Sequence, residues 1–463
     1  MSDRSQPPRM DGWKAIARYL GRDRTTAMRW AAHRGLPVHR VPGGRRATVY
    51  AVGHELDSWL LSPAGRDGPS GAGSSPARLQ LGRREVIAGA LVATVAGASA
   101  LGLVRSRVTS GASEADTLLE QARVLRNQNT LETQNQAIGL AREAVRLAPG
   151  DASAWGALGY ARALASRWRR EAESRRLREQ ATIAAQRSLE LDPGNAKGEL
   201  ALATALPLLG QDNWLARDNG LQRALARSPR DPDVLIERAF TLRFTGQCEE
   251  AVAMCARVAP SDYAPTLFNI WVRSLWSLGR IAETNRKLAQ AVALYPTNKM
   301  LWFTQLELRM FDGRADEAAG ALAARNRPSL VTEGQAQDYA SLAQMLVGRT
   351  RHPTDALVRG WLESARKNVR LATNAIRFAA VTGRLDEAFS LADAYFFGRG
   401  FAIGDDNGNG LFIPLSQRHT NFLFEPPIRA MRSDPRFYRL SAELGLDRYW
   451  RETRRPPDFR RMG

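Results

Sequence analysis

The sequence predicts a mainly α-helical protein with a small N-terminal domain, one apolar segment and a long α-solenoid of paired helices. Three observations predict this fold class. The chain of 463 residues is 44% hydrophobic, which is enough for more than one domain and a sizeable core. Residues 86–104 contain no charged side chain. From Glu114 onward, the apolar pattern is helical and repeats about every 34 residues.

The chain is strongly basic, which favours a polyanion or an anionic membrane surface as a partner. It contains 66 Lys and Arg against 47 Asp and Glu, for a net charge of +19. A high arginine content can also follow from genome composition, so the positions of the charges are more informative than their sum. The first thirty residues contain no apolar core, and we expect no N-terminal signal peptide.

Two short helices are predicted near the N-terminus. Asp11 can cap the first, whose apolar residues follow the spacing of one helix face: Trp13, Ile16, Ala17 and Leu20. Asp23 can cap a second helix that runs to Trp30. The two helices are joined by only a few residues. A connection this short predicts a helix-turn-helix, in which the second helix reaches base edges in the major groove of DNA. The residues placed for that contact are Arg22, Arg24, Thr25, Thr26 and Arg29.

A hairpin and a closing helix are predicted next. Residues 38–41 and 48–51 are strand-like and flank a turn at 42–46 with basic residues at its tip. The helix at 55–61 places Leu56, Trp59 and Leu60 on one face. The hairpin therefore has the position of a wing beside the two helices.

In order, the runs GWKAIARYLGRDRTTAMRW, GLPVHRVPGGRR and VYAVGHELDSWL resemble the winged helix-turn-helix of the MerR/excisionase superfamily. The resemblance implies that residues 1–61 bind DNA. By this resemblance, bases are contacted by Arg24, Thr25, Thr26 and Arg29, and phosphates by Arg40, Arg45 and Arg46. The coiled coil and effector domain of typical MerR regulators do not follow, so metal or drug sensing is not implied. As an alternative, such a module can dock a protein instead.

The apolar residues 86–104 predict a transmembrane helix at 85–105, after a flexible Gly/Ser/Pro-rich linker at 62–84. With a DNA-binding N-terminus in the cytoplasm, this predicts a single-pass protein of the bacterial inner membrane with a periplasmic C-terminal domain. Gly89, Ala93 and Gly97 recur every fourth residue and would let two such helices form a homodimer. The alternatives are a buried core helix and an export signal around Arg83–Arg84.

The second part of the chain contains internal repeats. The phrase Gly-Arg/Gln-x-x-Glu recurs from Gly246, Gly279, Gly313 and Gly383, and prolines that end helices recur at similar intervals. A glycine in the turn between helices and a proline after the second helix resemble tetratricopeptide (TPR) repeats across residues 106–394. The resemblance implies six to eight helical pairs. Neighbouring pairs stack and leave a groove that suits an extended peptide or a partner helix.

Several side chains of this part have two interpretations. The aromatic residues Trp271, Trp276, Trp302 and Phe303 fit either a ligand platform or, more commonly, the stacking core. A basic run fits either an acidic partner or a solvated helix face, and its members are Arg169, Arg170, Arg175, Arg176 and Arg178. Cys248 and Cys255 are seven residues apart on one predicted helix, too far for a disulfide, so we expect buried free thiols.

Residues 395–463 are predicted to form a C-terminal loop and capping helices. Asp405, Asn407 and Asn409 match the first half of a calcium loop, but Ser416 stands where a bidentate Glu should close it. A plain turn is therefore favoured. The helix near residues 437–450 is expected to cover the open end of the solenoid.

No catalytic motif was found in the sequence, and it predicts no enzyme activity, no cofactor and no metal. We interpret the chain as a membrane-tethered transcriptional regulator that binds DNA at one end and a protein or peptide in the TPR groove at the other. Its layout is similar to that of ToxR/CadC-type regulators. The alternative is a non-catalytic TPR interaction scaffold whose basic N-terminal domain docks a partner.

Overall fold

The computed structural model describes residues 9–19, 28, 31, 36–40, 49–52, 55–56, 114–128, 130–324, 333–348, 353–407 and 410–461. Two compact units can be distinguished, residues 1–99 and residues 100–463. Each is described by itself below.

The N-terminal unit is a small three-stranded sheet with one helix. Its elements are β1 (Arg9–Asp11), α1 (Gly12–Tyr19), β2 (His39–Arg40) and β3 (Val49–Val52). β3 lies between the other two strands and is antiparallel to both, so the strands expected near 38–41 and 48–51 are present. Ile16, Ala51 and Leu56 are fully buried at its core.

Most of the predicted DNA-binding residues lie outside the described residues. They are Arg22, Arg24, Thr25, Thr26, Arg29, Arg45 and Arg46. Arg40 lies in β2, where only its backbone is described. DNA contact by these side chains therefore stays a prediction.

The second unit is an array of helical pairs. In the described part of residues 114–397, sixteen helices form eight pairs: α2 (Glu114–Arg126), α3 (Leu131–Leu147), α4 (Ala152–Ser166), α5 (Glu171–Leu191), α6 (Ala196–Ala205), α7 (Asn213–Arg227), α8 (Pro232–Phe244), α9 (Cys248–Ala256), α10 (Pro265–Ser277), α11 (Ile281–Leu294), α12 (Lys299–Phe311), α13 (Ala315–Ala323), α14 (Glu333–Val347), α15 (Asp355–Lys367), α16 (Val369–Val381) and α17 (Leu385–Phe397). This confirms the predicted α-solenoid of helical pairs.

The repeated sequence phrases mark the ends of these helices. Gly246, Gly279, Gly313 and Gly383 each lie in the turn inside a pair, with φ of 86°, 70°, 82° and 79°. This left-handed backbone favours glycine because a Cβ would be strained there. Between pairs, a proline is followed two residues later by an Asp or Asn that caps the next helix, as in Pro229–Asp231 and Pro296–Asn298.

Two of these glycines should differ in their tolerance of alanine. At Gly279 a Cβ would have no atom within 4 Å, so Gly279→Ala should cost only the strain of positive φ, about 1 kcal/mol. At Gly246 the Cβ would lie 2.8 Å from both Phe424 and Pro457, so we expect a further loss of about 1–3 kcal/mol. Urea unfolding of both variants measures the difference. Equal losses would show that residues 424 and 457 do not lie against this turn.

The first helices of the pairs line the inner side of the array. Successive first helices from α2 to α12 contact each other, and each also contacts its own second helix. The ladder of first helices is therefore the more closely spaced side, as in other solenoids with a concave face.

The described residues include no helix that has both the length and the apolar composition for crossing a bilayer. The segment 86–104, for which a span was predicted, lies outside those residues, as does the linker 62–84. We predicted a single-pass inner-membrane protein with a cytoplasmic N-terminus and a periplasmic C-terminal domain. This predicted location is wrong, because no helix among the described residues could span the membrane.

Candidate functional site

The inner side of the array holds the C-terminal part of the same chain. After α17, residues 404–461 turn back along the first helices, and we call them the return segment. It contains short 3-10 turns at Leu415–Gln417, Asn421–Phe424 and Pro426–Ile428 and the helices α18 (Arg429–Arg432), α19 (Arg436–Glu443) and α20 (Leu446–Thr453). The groove that the sequence predicted for a partner is thus occupied here by the chain itself.

Hydrogen bonds to backbone atoms fix the return segment along the middle of the array. The Thr420 hydroxyl donates to the Phe244 carbonyl at 2.6 Å, and the Trp450 indole donates to the Thr245 carbonyl at 2.7 Å. In the other direction, the Trp214 indole donates to the Leu444 carbonyl at 2.9 Å. These carbonyls lie at helix ends, which leave acceptors free for such contacts.

The capping role of residues 437–450 stays a prediction, and the two halves of this region contact different parts of the array. The region is split into α19 and α20 at Gly445, whose φ is 74°. α20 contacts α7, and Trp450 bonds to the end of α8, so α20 covers the middle of the array. α19 lies against the last helix, α17, where Arg436 pairs with Asp386 and lies over the Phe389 ring.

One carboxylate anchors the return segment. Glu425 is fully buried and accepts hydrogen bonds from three arginines on three first helices. Arg243 of α8 and Arg273 of α10 donate to Oε1 at 2.8 and 3.1 Å, and Arg377 of α16 donates to Oε2 at 2.9 Å. Because α16 is distant in sequence from α8 and α10, this one side chain joins separate parts of the inner side. We call the three arginines the arginine clamp.

A second carboxylate lowers the net charge of the clamp to +1. Glu307 of α12 pairs with Arg273 and accepts a hydrogen bond from the Tyr339 hydroxyl at 3.1 Å. Three guanidinium groups thus share two carboxylates. Removal of Glu425 would leave an excess of two positive charges in the protein interior, which is strongly unfavourable.

The clamp lowers the pKa of Glu425. Burial by itself opposes ionisation, but the charges of Arg377, Arg273 and Arg243 outweigh it and bring the pKa from 4.5 to about 2. In the unfolded chain the clamp is absent and the ordinary value applies.

This shift predicts an acid dependence of stability. A lowered folded-state pKa gives stability that is present above the unfolded pKa of 4.5 and is lost as the pH falls towards about 2. Glu425→Gln lacks this contribution at every pH. We therefore expect the gap in unfolding free energy between wild type and Glu425→Gln, measured in urea, to shrink between pH 4.5 and pH 2. If the gap stays constant between pH 4.5 and pH 2, the arginine clamp does not lower the pKa of Glu425 in the folded state.

Apolar side chains surround the clamp. Phe422, Leu423 and Phe424 are each at most 3% exposed, and the Phe422 ring stacks on Phe396 of α17 with 5.9 Å between centroids. Arg377 lies over the same Phe422 ring at 5.3 Å. The carboxylate is therefore held in a site that excludes water, where charge-assisted hydrogen bonds are strong.

The backbone around Glu425 is held in shape by hydrogen bonds within the return segment. Arg432 of α18 donates from one Nη1 to the carbonyls of Leu423 and Glu425, at 2.9 and 2.8 Å. Pro426 and Pro427 follow the anchor and favour the extended backbone that presents it.

Burial shifts the pKa values of several titratable groups at the site. Burial, together with the charges of Arg167, Arg243 and Arg418, lowers the pKa of His419 to about 3, so its ring is neutral near pH 7. Burial raises the pKa of the Cys248 thiol to about 12, and that of Cys255 is also raised. Both cysteines are free and buried, as predicted. In the ranges that the structure covers, no group of three or more His, Cys, Asp or Glu could hold a metal ion.

The core interpretation of the aromatic residues is confirmed. Trp276 is fully buried, Trp271 and Phe303 are at most 7% exposed, and Trp302 packs against the core that contains Phe303. They form no open platform for a ligand.

The basic run is split between two environments. Arg175 and Arg176 are exposed, as a solvated face requires. Arg169, in contrast, is buried and donates to Gln134 and Asn135 of α3 at 2.8 Å, and Arg170 lies over the Phe412 ring at 4.2 Å. Arg178 is partly buried and donates to the Ser416 hydroxyl at 3.2 Å. Three members therefore have structural partners that the sequence did not indicate.

The predicted turn at residues 405–410 is present as far as it is described. Asp405 accepts a hydrogen bond through its backbone carbonyl from Ile413 at 2.7 Å, and Asp406 pairs with Phe412 in an isolated bridge. Asn409 lies outside the described residues.

Comparisons with known proteins give partial similarities. No known family model matches the chain. Among curated proteins, it is 28% identical over 231 residues to cellulose synthase operon protein C of Pseudomonas fluorescens (strain SBW25). That match covers 47% of this chain and 17% of the relative, so the chain spans less than a fifth of the relative's length.

Three solved structures are similar in part. They are a thermophilic TPR protein of Thermus thermophilus, YrrB, described as a TPR protein with an unusual peptide-binding site, and pilF of Pseudomonas aeruginosa. Their identities are 17%, 17% and 18%, and their TM-scores are 0.32, 0.26 and 0.26. They match 41%, 44% and 49% of this chain and 96%, 97% and 87% of their own.

Proposed function

We propose that this chain is a non-catalytic, TPR-type interaction scaffold whose inner side binds polypeptide segments of partner proteins. The observation that carries the proposal is the return segment. Its short turns and helices pack on the first helices, donate to helix-end carbonyls and bury an acidic anchor, so the inner side already holds one polypeptide segment. The array therefore has the donors, acceptors and apolar surface needed to hold a polypeptide.

The expected test is a selection of displayed random peptides on the immobilised full chain. A scaffold should enrich a small set of related sequences, and these should bind in solution as synthetic peptides. If no peptide is enriched on the full chain, or on a chain whose return segment has been opened, the scaffold proposal fails.

DNA binding by the N-terminal unit is the competing prediction. A duplex-retention measurement with genomic fragments separates the two, since a regulator should retain specific fragments with a strong salt dependence. Substitution of both Arg24 and Arg29 by Ala should then weaken retention. If the substituted chain retains DNA equally well, the DNA-binding prediction fails and the scaffold function is the one that remains.

A further inference from the structure

We propose that the arginine clamp is a recognition site for acidic, aromatic-flanked segments of a partner protein, and that the return segment is its built-in competitor. This inference rests on the proposed scaffold function and names its partner class and its regulation. The resident sequence at the clamp is Phe422-Leu-Phe-Glu-Pro-Pro427, with the acidic anchor after two phenylalanines and before two prolines. A partner of the same pattern would make the same contacts.

Charge complementarity identifies the partner as acidic. With the return segment removed, Arg243, Arg273 and Arg377 would retain only Glu307 as a carboxylate partner among the groups that donate or accept at the clamp. Arg370 of α16, which lies over the Phe303 ring at 4.4 Å, adds a further positive charge nearby. The opened inner side is therefore basic and partly apolar, which suits a carboxylate flanked by aromatic rings.

Several repeats have cores that do not include the return segment. The core of α8, α9 and α10 contains Leu235, Leu242, Cys255, Leu267 and Leu275, and none of its members lies beyond residue 275. The core between α4, α6 and α7, and the one that includes Trp276 and Leu308, also contain only array residues. Because repeats are stabilised mainly by their neighbours, this part of the array, which carries Arg243 and Arg273, can remain folded while the return segment is away. The core around α16, which carries Arg377, also includes Phe422 and Trp450 of the return segment, so a bound partner must replace those contacts.

The connection to the array is rich in glycine but is itself bonded to α15 and α16, where Gly404 donates to the Arg366 carbonyl and Val369 donates to the Asp406 carbonyl, both at 3.1 Å. Opening therefore requires release of the segment beyond residue 413. Residues 398–410 contain glycine at 398, 400, 404, 408 and 410, of which Gly398, Gly400 and Gly410 have positive φ. Such a loop gives the tethered segment an effective concentration on the order of millimolar. A partner therefore binds the wild-type chain with an affinity reduced by the small fraction of open molecules.

The experiment uses the full chain with a specific protease site inserted in the loop at 405–410. After cleavage, the return segment remains bound but is no longer tethered. A fluorescent peptide covering residues 419–432 is then titrated, and release of the return segment is followed by native mass spectrometry. We expect the peptide to bind and to displace the segment. The same peptide with Glu425→Gln should bind at least about 100-fold more weakly, because it leaves the clamp without its carboxylate.

Receptor variants give a matched control. Arg273→Gln should weaken binding of the Glu-containing peptide, whereas Arg399→Gln, which removes an exposed pair with Glu443 and a contact with the Phe397 ring, both outside the clamp, should not. Should cleavage precipitate the chain, the two peptides are titrated into the uncleaved chain, where weaker binding with the same preference for Glu is expected. The peptide comparison does not depend on how any receptor variant folds.

Three outcomes would overturn the inference. Equal binding of the Glu and Gln peptides would show that the clamp does not recognise the carboxylate. Failure of the Glu peptide to displace the segment, even at saturating concentration, would show that the segment is a fixed part of the fold. Exchange of return segments between two chains, detected as dimers by light scattering, would identify a second copy as the occupant. If selected random peptides bind while the return segment stays in place, the scaffold function stands and only this inference fails.

Discussion

Glu425→Gln should destabilise the second unit by about 3–5 kcal/mol, as expected when one partner of a buried charge network is removed. The amide can accept hydrogen bonds but carries no charge, so Arg243, Arg273 and Arg377 would share Glu307 alone. A loss of this size is a large fraction of the stability of a typical domain. Urea unfolding near pH 7, followed by the helical circular dichroism signal, measures it.

The matched control is Glu443→Gln in α19. This carboxylate also pairs with arginines, Arg399 and Arg439, but its side chain is 31% exposed and those arginines are more exposed still. Solvent screens such pairs, and we expect a change of less than about 1 kcal/mol. Similar losses in both variants would mean that burial of the clamp adds nothing to its strength.

The array could be predicted because its signals are local and periodic. The glycines at 246, 279, 313 and 383 are needed by the positive φ of each turn, and prolines such as Pro149 and Pro229 follow the ends of second helices. Each feature depends only on residues within a few positions. Repetition along the chain then makes the pattern visible in a single sequence.

The site could not be predicted in the same way, because its contacts join residues far apart in the chain. Glu425 meets Arg243 across 182 positions, and no periodicity marks such a pair. The sequence did contain a weaker signal that was missed. Arg243, Arg273 and Arg377 each interrupt a predominantly apolar stretch of a first helix, and a charge on a buried helix face needs a buried partner. Glu425, alone in the apolar run FLFEPP, was a candidate for that partner.

Trp450→Ala should cause a loss of about 3–5 kcal/mol, in the range seen when large core aromatics are removed. The indole is 3% exposed, donates to the Thr245 carbonyl at 2.7 Å and contacts the Phe424 ring, with 6.3 Å between centroids. The variant loses this burial and also leaves the Thr245 carbonyl without its donor. Tyr438→Ala in the same segment is the control, because Tyr438 is 61% exposed and its removal should change stability by less than about 0.5 kcal/mol.

The part of the chain that Trp450→Ala destabilises is as informative as the size of the loss in stability. If the return segment opens as a local element, Trp450→Ala should speed hydrogen exchange in α18–α20 and at the end of α8, since these are the parts that it joins. Amides of α2–α4 should keep their protection, because their core around Ile138 and Leu158 contains no residue of the return segment. Faster exchange throughout all sixteen helices would instead show that array and segment unfold together, and a partner could then bind only to a globally unfolded chain.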